Sequence, residues 1–346
     1  MKAYLSLEDG TVFEGKSFGS QNDAIGEIVF TTGVVGYLET LTDPSYYGQI
    51  ILQTFPLIGN YGIIPADFES SGISASAYIV KDPCHEPSNF RSEGTLDSFL
   101  KENGVVGLYG IDTRALTKII REKGVMNGKI TMSPPTDADC ADAQSHAAAR
   151  AVASVSSSTI EKLSDGSHRI ALMDFGAKRG ISKQLMDRDC EVWSFPYDTP
   201  ANEIMKTSPQ GIMLSNGPGD PADPANKGIV DVVRALSETG VPIFGICLGH
   251  QFLAMAHGYK TTKLKFGHRG ANQPVKDLRT GRTFITSQNH GYAVVGGDNS
   301  SFINVNDGTN EGMDYGASFS VQFHPEACGG PLDTAFLFDR FIERLG

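Results

Sequence analysis

Beyond residue 168 the chain alternates short apolar runs with segments of helical period. The runs "HRIALMDFG", "CEVWSFPY", "GIMLSNGPG" and "VPIFGI" alternate with "KRGISKQLMDRD", "GIVDVVRALSETG" and "LGHQFLAMAHG". Brief apolar runs bounded by turn signals predict buried strands, and apolar residues recurring every three or four positions predict helices. Alternation of the two implies a parallel sheet with helices on both faces, with ligands at the carboxyl ends of its strands.

Earlier in the chain the pattern differs. "YLSLEDGTVFEG" places a D-G turn between alternating segments, which predicts a β-hairpin, and "EIVFTTG", "QIILQTF" and "ASAYIV" predict further short strands. "DSFLKENG" and "DTRALTKIIREKG" predict helices that each end at Gly, the second capped by Asp112. Residues 137–158, "DADCADAQSHAAARAVASVSSS", are rich in Ala and Ser and lack large apolar side chains, which predicts an exposed helix running into a linker. The expected organisation is a smaller α+β domain over 1–145, a linker over 146–167 and an α/β domain over 168–346.

One strand-to-helix junction carries candidate chemistry. In "FGICLGHQFLA" Cys247 follows the apolar run and opens the helix, with Gly245 and Gly249 on either side. A thiol at a helix N-terminus faces unbonded N–H groups and the positive end of the dipole, which favour thiolate over thiol. The pattern G-x-C-x-G is the cysteine form of the nucleophile elbow. A base is offered by "VQFHPEACGG": in extended chain His324 and Glu326 project to one side, and Pro325 drives His324 toward extended geometry. A carboxylate beside the imidazole would fix its tautomer and stabilise the imidazolium. Oxyanion donors are available from the Leu248 N–H and from the loop "LSNGPGDP", where Gly217 and Gly219 let backbone approach a ligand. Each signal has a plainer reading: a buried structural cysteine, a surface strand end, an ordinary turn. Their combination points to acyl transfer through a cysteine.

Composition narrows the field. At 346 residues two domains are expected, and the net charge of −11 argues against a nucleic-acid footprint. The first residues, "MKAYLSLEDG", do not resemble a signal peptide, and no apolar run approaches membrane-spanning length. Five scattered cysteines, Cys84, Cys140, Cys190, Cys247 and Cys328, form no C-x-x-C pair, which fits a reducing cytoplasm and argues against a disulfide framework or a zinc site. His250, His268 and His290 lie near the motifs and read as hydrogen-bonded scaffold residues.

"GICLGHQ", "SNGPGDP" and "FHPEA" together resemble the class I, triad-type glutamine amidotransferase domain, and "TDPSYYGQI", "PLIGNYG", "GIDTRALTKIIREKG" and "NGKI" resemble the small, glutamine-hydrolysing subunits of carbamoyl phosphate synthetases. The resemblance implies Cys247 as nucleophile, His324 as base and Glu326 as its orienter. It implies that Ser45, Gly217, Gly219, Leu248, Gln251, Asn289, Gly291 and Tyr292 hold glutamine or the oxyanion; position 292 is more often Phe in that family. It further implies a heterodimer with an ATP-dependent large subunit, itself open to higher assembly. The chain has neither G-x-x-x-x-G-K-[ST] nor G-x-G-x-x-G, so no cofactor or metal is expected here, and ATP and magnesium are expected on the partner. Three other readings stay open at this stage. The chain could be the glutaminase subunit of another amidotransferase, of the anthranilate or GMP synthesis type. It could be an α/β-hydrolase, although there the acid usually precedes the histidine, or a binding module that does no catalysis.

Overall fold

The structure, a computed structural model, describes residues 1–148, 150–327 and 329–345. The chain forms two units, 1–149 and 150–346.

In the first unit, among the described residues, seven strands close into a barrel. Their order is Lys2–Leu7, Val12–Gly19, Val106–Tyr109, Ala77–Val80, Gln49–Gln53, Ala24–Thr31 and Met126–Thr131. The D-G turn makes the expected hairpin, pairing Lys2 with Lys16 through Ser6 with Val12, and Gly10 takes the left-handed conformation at φ 85°. The short strands and both helices stand where the hydrophobic pattern puts them. Helix Thr113–Lys123 is capped by Asp112, whose carboxylate accepts from the Ala115 N–H at 2.9 Å. Closure removes the sheet edges that an open arrangement would expose. Val29, Ile51, Tyr78, Leu38, Leu96 and Leu100 fill one side of it.

Among the described residues, the second unit is built on a ten-stranded sheet. Five adjacent strands, Cys190–Pro196, His168–Asp174, Gly211–Leu214, Ile243–Ile246 and Phe319–Val321, run parallel. Their side chains alternate between two cores. Ile170, Leu172, Met213, Phe244 and Ile246 join Ile181, Leu185, Phe338 and Phe341 on one face. Ala171, Met173, Ile212, Leu214 and Ile243 join Val230, Val233, Phe252 and Leu253 on the other. Helices Arg179–Met186 and Phe336–Ile342 therefore cover one face, and Lys227–Ser237 and Leu248–Ala256 the opposite one. An antiparallel extension continues the sheet through Asn310–Asp314, Ser300–Asn304, Lys260–Asp277 and Thr283–Val295. No described helix is long and apolar enough to cross a membrane.

The segment expected as a linker, 146–167, contributes structure to the second unit. Helix Ala151–Val155 places Val152 in the second core, and Glu161–Lys162 pairs with Ser194 and Trp193 at the sheet edge. Small side chains dominate the stretch, so its composition resembles that of a tether even though one Val per turn is enough to dock a short helix.

Phe244 lies on the strand that ends at Cys247 and stacks on Phe319 with ring centroids 4.3 Å apart, with Phe338 at 5.6 Å. Phe244→Ala should cost about 4 kcal/mol, the scale for emptying an aromatic site in a core. The loss will appear as a lower urea midpoint at unchanged slope.

Candidate functional site

The parallel sheet delivers three segments to one place. Strand Ile243–Ile246 ends at Cys247, which turns the chain at φ 54°, ψ −103° into helix Leu248–Ala256. Such a conformation costs a non-glycine residue on the order of 1–3 kcal/mol and persists only where its surroundings fix it. Here they do. The Cys247 N–H donates to Val321 O at 2.9 Å, the Gln251 N–H to Cys247 O at 3.2 Å, and the Gly249 N–H to Ser215 O at 3.0 Å. Neither flanking glycine could carry a side chain. A Cβ at 245 would stand 2.7 Å from Gly249 O, and one at 249 would stand 2.3 Å from Leu214 O. Leu248 opens the helix, where first-turn N–H groups lack intrahelical partners.

Cys247 is buried, and its sulfur lies 3.7 Å from Asn289 O and 3.6 Å from the Gln322 Nε2 that donates to it. His324 and Glu326 follow the strand next to that of Cys247. His324 is held by its N–H to Ser287 O at 2.9 Å. Its Nδ1 lies 2.6 Å from Glu326 Oε1; a carboxylate only accepts, so Nδ1 carries the proton. His324 Nε2 meets no hydrogen-bonding atom at ordinary distance among the described residues, while the Cys247 sulfur is close enough to act on its proton affinity. Burial and the Lys178 cation push the His324 imidazolium down, but Glu326 and Cys247 outweigh them and its pKa is raised. Burial works against the Glu326 carboxylate, yet Lys178 and His324 hold it well below the usual carboxylate range.

Lys178 is the functional residue that the hydrophobic pattern missed. Its Nζ donates to the same Glu326 Oε1 at 2.9 Å, and both side chains are buried. The Lys178 N–H donates to Asn216 Oδ1 at 3.0 Å, and Ser215 Oγ accepts from the Phe175 N–H at 2.9 Å, which ties the "SNGPG" loop to the end of the His168–Asp174 strand. "FGAKRG" follows the carboxyl end of a parallel strand, where ligand sites gather, and that position was the available signal. Once His324 takes up a proton, Lys178, His324 and Glu326 together carry one positive charge in excess.

The structure brings most of the expected residues together. Gly217 packs so closely that a Cβ there would stand 2.3 Å from Phe175 O and 2.8 Å from Leu248 Cδ2, and Gly219 takes φ 93°. Gln251 Nε2 donates to Tyr292 O and to Gln322 Oε1, each at 2.9 Å. Gly291 lies beside the buried Arg269 guanidinium. His250 is a scaffold residue: its Nδ1 bonds Ser320 Oγ at 2.8 Å, and burial pushes it down to about 3. Ser45 belongs to the first unit, buried in the turn Pro44–Tyr46 with its N–H on the Asp43 carboxylate at 2.9 Å. Cys84, Cys140, Cys190 and Cys247 are free thiols, and Cys328 lies outside the described residues.

Comparison with known proteins covers both units. The family described as carbamoyl-phosphate synthase small chain, CPSase domain, matches residues 5–130, and glutamine amidotransferase class-I matches residues 171–344. The carbamoyl phosphate synthase small chain of Clostridium perfringens is 48% identical over 349 residues, spanning 99% of each chain. That of Fusobacterium nucleatum is 47% identical over 351 residues, spanning 99% of this chain and 97% of its own. Among solved structures, a glutamine amidotransferase from Thermotoga maritima aligns with 51% of this chain and 96% of its own, at 15% identity and a TM-score of 0.41.

Lys178→Met removes one of two cations from a buried carboxylate. Stability should fall by about 3 kcal/mol, the lower end for breaking a buried pair, because His324 still faces Glu326. Lys178 also lowers the His324 pKa, so the variant should keep the imidazole protonated to higher pH. Urea denaturation measures the first effect and an NMR titration of the His324 ring the second.

Proposed function

The chain belongs to the carbamoyl phosphate synthase small-chain family and carries a class I glutamine amidotransferase domain, and from that premise we propose that it hydrolyses glutamine to glutamate and ammonia through a Cys247 thioester. The ammonia passes to a large, ATP-dependent chain that makes carbamoyl phosphate from bicarbonate. One observation carries the reading: a buried cysteine, held at positive φ on an elbow, lies beside an imidazole whose far nitrogen is fixed on a carboxylate at 2.6 Å.

The steps follow from the groups present. The thiol proton goes to His324, and the sulfur attacks the side-chain carboxamide carbon of glutamine. The Leu248 N–H and the Gly217–Gly219 loop are the donors offered to the oxyanion. Collapse of the adduct breaks the C–N bond, His324 returns its proton to the leaving nitrogen, and ammonia departs. Water, deprotonated by the same imidazole, then cleaves the thioester to glutamate and restores the thiol. Glu326 keeps the His324 tautomer, with Nδ1 protonated and Nε2 toward the chemistry. Gln251, Asn289, Gly291 and Tyr292 are assigned to holding glutamine. Carbamoyl phosphate formation also consumes ATP with magnesium, which this reading gives to the large chain. A glutaminase subunit for anthranilate or GMP synthesis is disfavoured because the small-chain family matches residues 5–130 as well.

Cys247→Ser tests the nucleophile in the complex with the large chain. Glutamine-dependent carbamoyl phosphate formation should fall by about a thousandfold or more, while formation from ammonium persists. A variant that keeps its glutamine-dependent rate overturns the assignment.

A misplacement of about 1 Å in a catalytic group can cost on the order of a hundredfold, so docking of a partner that tightens the site raises its rate. Glutaminase activity at saturating glutamine should rise when the large chain and ATP are added. Equal rates, with complex formation verified by gel filtration, would exclude coupling.

A further inference from the structure

The carboxamide of Gln322 lies between the Cys247 sulfur and Gln251, and the steps above give it no part. Gln322 stands two residues before His324 in "VQFHPEACGG", just past strand Phe319–Val321, and is fully buried. Its backbone N–H donates to Glu311 O at 2.9 Å, which fixes the point from which the side chain reaches Cys247.

A backbone atom two contacts away decides which end of that carboxamide meets the sulfur. One terminal atom of Gln251 lies 2.9 Å from Tyr292 O and 2.9 Å from the end of Gln322. A peptide carbonyl only accepts, so that atom of Gln251 is its nitrogen. The second hydrogen on it points at Gln322, whose facing atom must therefore be the oxygen. The reverse orientation would set two NH2 groups against each other at 2.9 Å. The Gln322 nitrogen is left for the sulfur, 3.6 Å away.

The sulfur has an acceptor as well, Asn289 O at 3.7 Å. A thiol suits both neighbours: its hydrogen goes toward the Asn289 carbonyl, and a lone pair takes the Gln322 N–H. Once the proton has passed to His324, the electron pair of the S–H bond stays on sulfur. The Asn289 carbonyl then opposes that charge while the Gln322 N–H supports it. A hydrogen bond to an ionised acceptor is roughly twice as strong as one between neutral groups, so this contact tightens as charge builds. An interaction that grows toward the transition state raises the rate.

We propose that Gln322 is a catalytic residue, the amide donor to the Cys247 sulfur both as nucleophile and as leaving group. The inference rests on the reading of Cys247 as the nucleophile. In the first half of the reaction the former S–H pair forms the bond to the carboxamide carbon, and the charge that Gln322 had steadied leaves the sulfur. In the second half water adds to the thioester, the C–S bond breaks and its pair returns to sulfur. Gln322 meets charge there again until His324 restores the thiol proton. Because the Gln322 oxygen accepts from Gln251, one amide joins the sulfur to the group assigned to glutamine.

The test uses the full chain in complex with its large chain. Its first readout is alkylation of Cys247 by iodoacetamide at about pH 7.5, followed by mass spectrometry of the peptide that contains it, because the thiolate is the species that reacts. Alkylation requires charge on the sulfur but no turnover of glutamine. Gln322→Met fills the site without an N–H. It should slow alkylation of Cys247 by about tenfold or more and lower kcat for glutamine by a similar factor, the scale for one hydrogen bond to a charged group. A role confined to bracing Gln251 would raise KM and leave alkylation at the wild-type rate; that result overturns the proposal, as does an unchanged kcat. Should Gln322→Met fail to assemble, as judged by gel filtration, Gln322→Glu decides alone. At about pH 9, where the introduced carboxyl is ionised, it still accepts from Gln251 yet opposes charge on the sulfur, so alkylation should again slow by about tenfold or more. Alkylation of that variant at the wild-type rate overturns the proposal. A Cys247→Ser protein that keeps its glutamine-dependent rate would instead overturn the reading of Cys247 itself, so the two failures are distinguishable.

Discussion

No side chain fits at position 249. The helix that begins after Cys247 approaches the neighbouring strand so closely that a single added carbon would stand 2.3 Å from Leu214 O. That approach of backbone to backbone lets the helix dock on the carboxyl end of the sheet, sets Leu248 against Gly217 and forces Cys247 into its unusual conformation. It also makes the site compact, because hydrogen bonds from Cys247 to Val321 and from Gly249 to Ser215 hold three strand ends in one register. The chemistry depends on this contact more than on any interaction of the sulfur itself.

A second constraint is electrostatic. Glu326 Oε1 accepts from both His324 and Lys178, so one buried oxygen orients the imidazole and neutralises part of a cation. Isolated, any of these charges would be costly to bury, and together they compensate one another. Lys178 is in turn fixed through its own N–H by Asn216, so the "SNGPG" loop and the cation beside Glu326 are parts of one hydrogen-bonded frame.

Much of this was legible in the sequence because the relevant signals are local. The elbow glycines, the His-Pro-Glu sequence and the Asp112 cap act over a few residues, and the alternation of strand and helix predicts the parallel sheet; the chain is extended only at His324 and turns at Pro325 and Glu326. Long-range pairings left no such trace. Lys178 lies 148 residues from Glu326, and although "FGAKRG" follows a strand end, nothing in it marks the pairing with Glu326. Closure of the first unit into a barrel depends on strand Met126–Thr131 pairing with both Lys2–Leu7 and Ala24–Thr31, a matter of topology rather than propensity. The antiparallel extension was hidden for a related reason. Its longest strand, Lys260–Asp277, carries four Lys, two Gly and a Pro, and its register is interrupted twice, so it lacks the clean alternation of a half-buried strand. The linker expectation gave way at Val152, where one apolar side chain among small ones is enough to dock a helix.

The sheet has two halves, and the reactive groups are divided between them. The elbow belongs to the parallel half, which is assembled from nearby segments. The carbonyls of Asn289 and Tyr292 come from the antiparallel half, and the base follows the strand where the halves meet, so that Gln322 reaches Cys247 across 75 residues. Contacts so distant in the chain are slow to form, because loop closure must precede any gain from them. A nascent chain that has folded only its local segments therefore presents Cys247 without His324 and without the carbonyls of Asn289 and Tyr292. The division delays completion of the site until the last strands are in place.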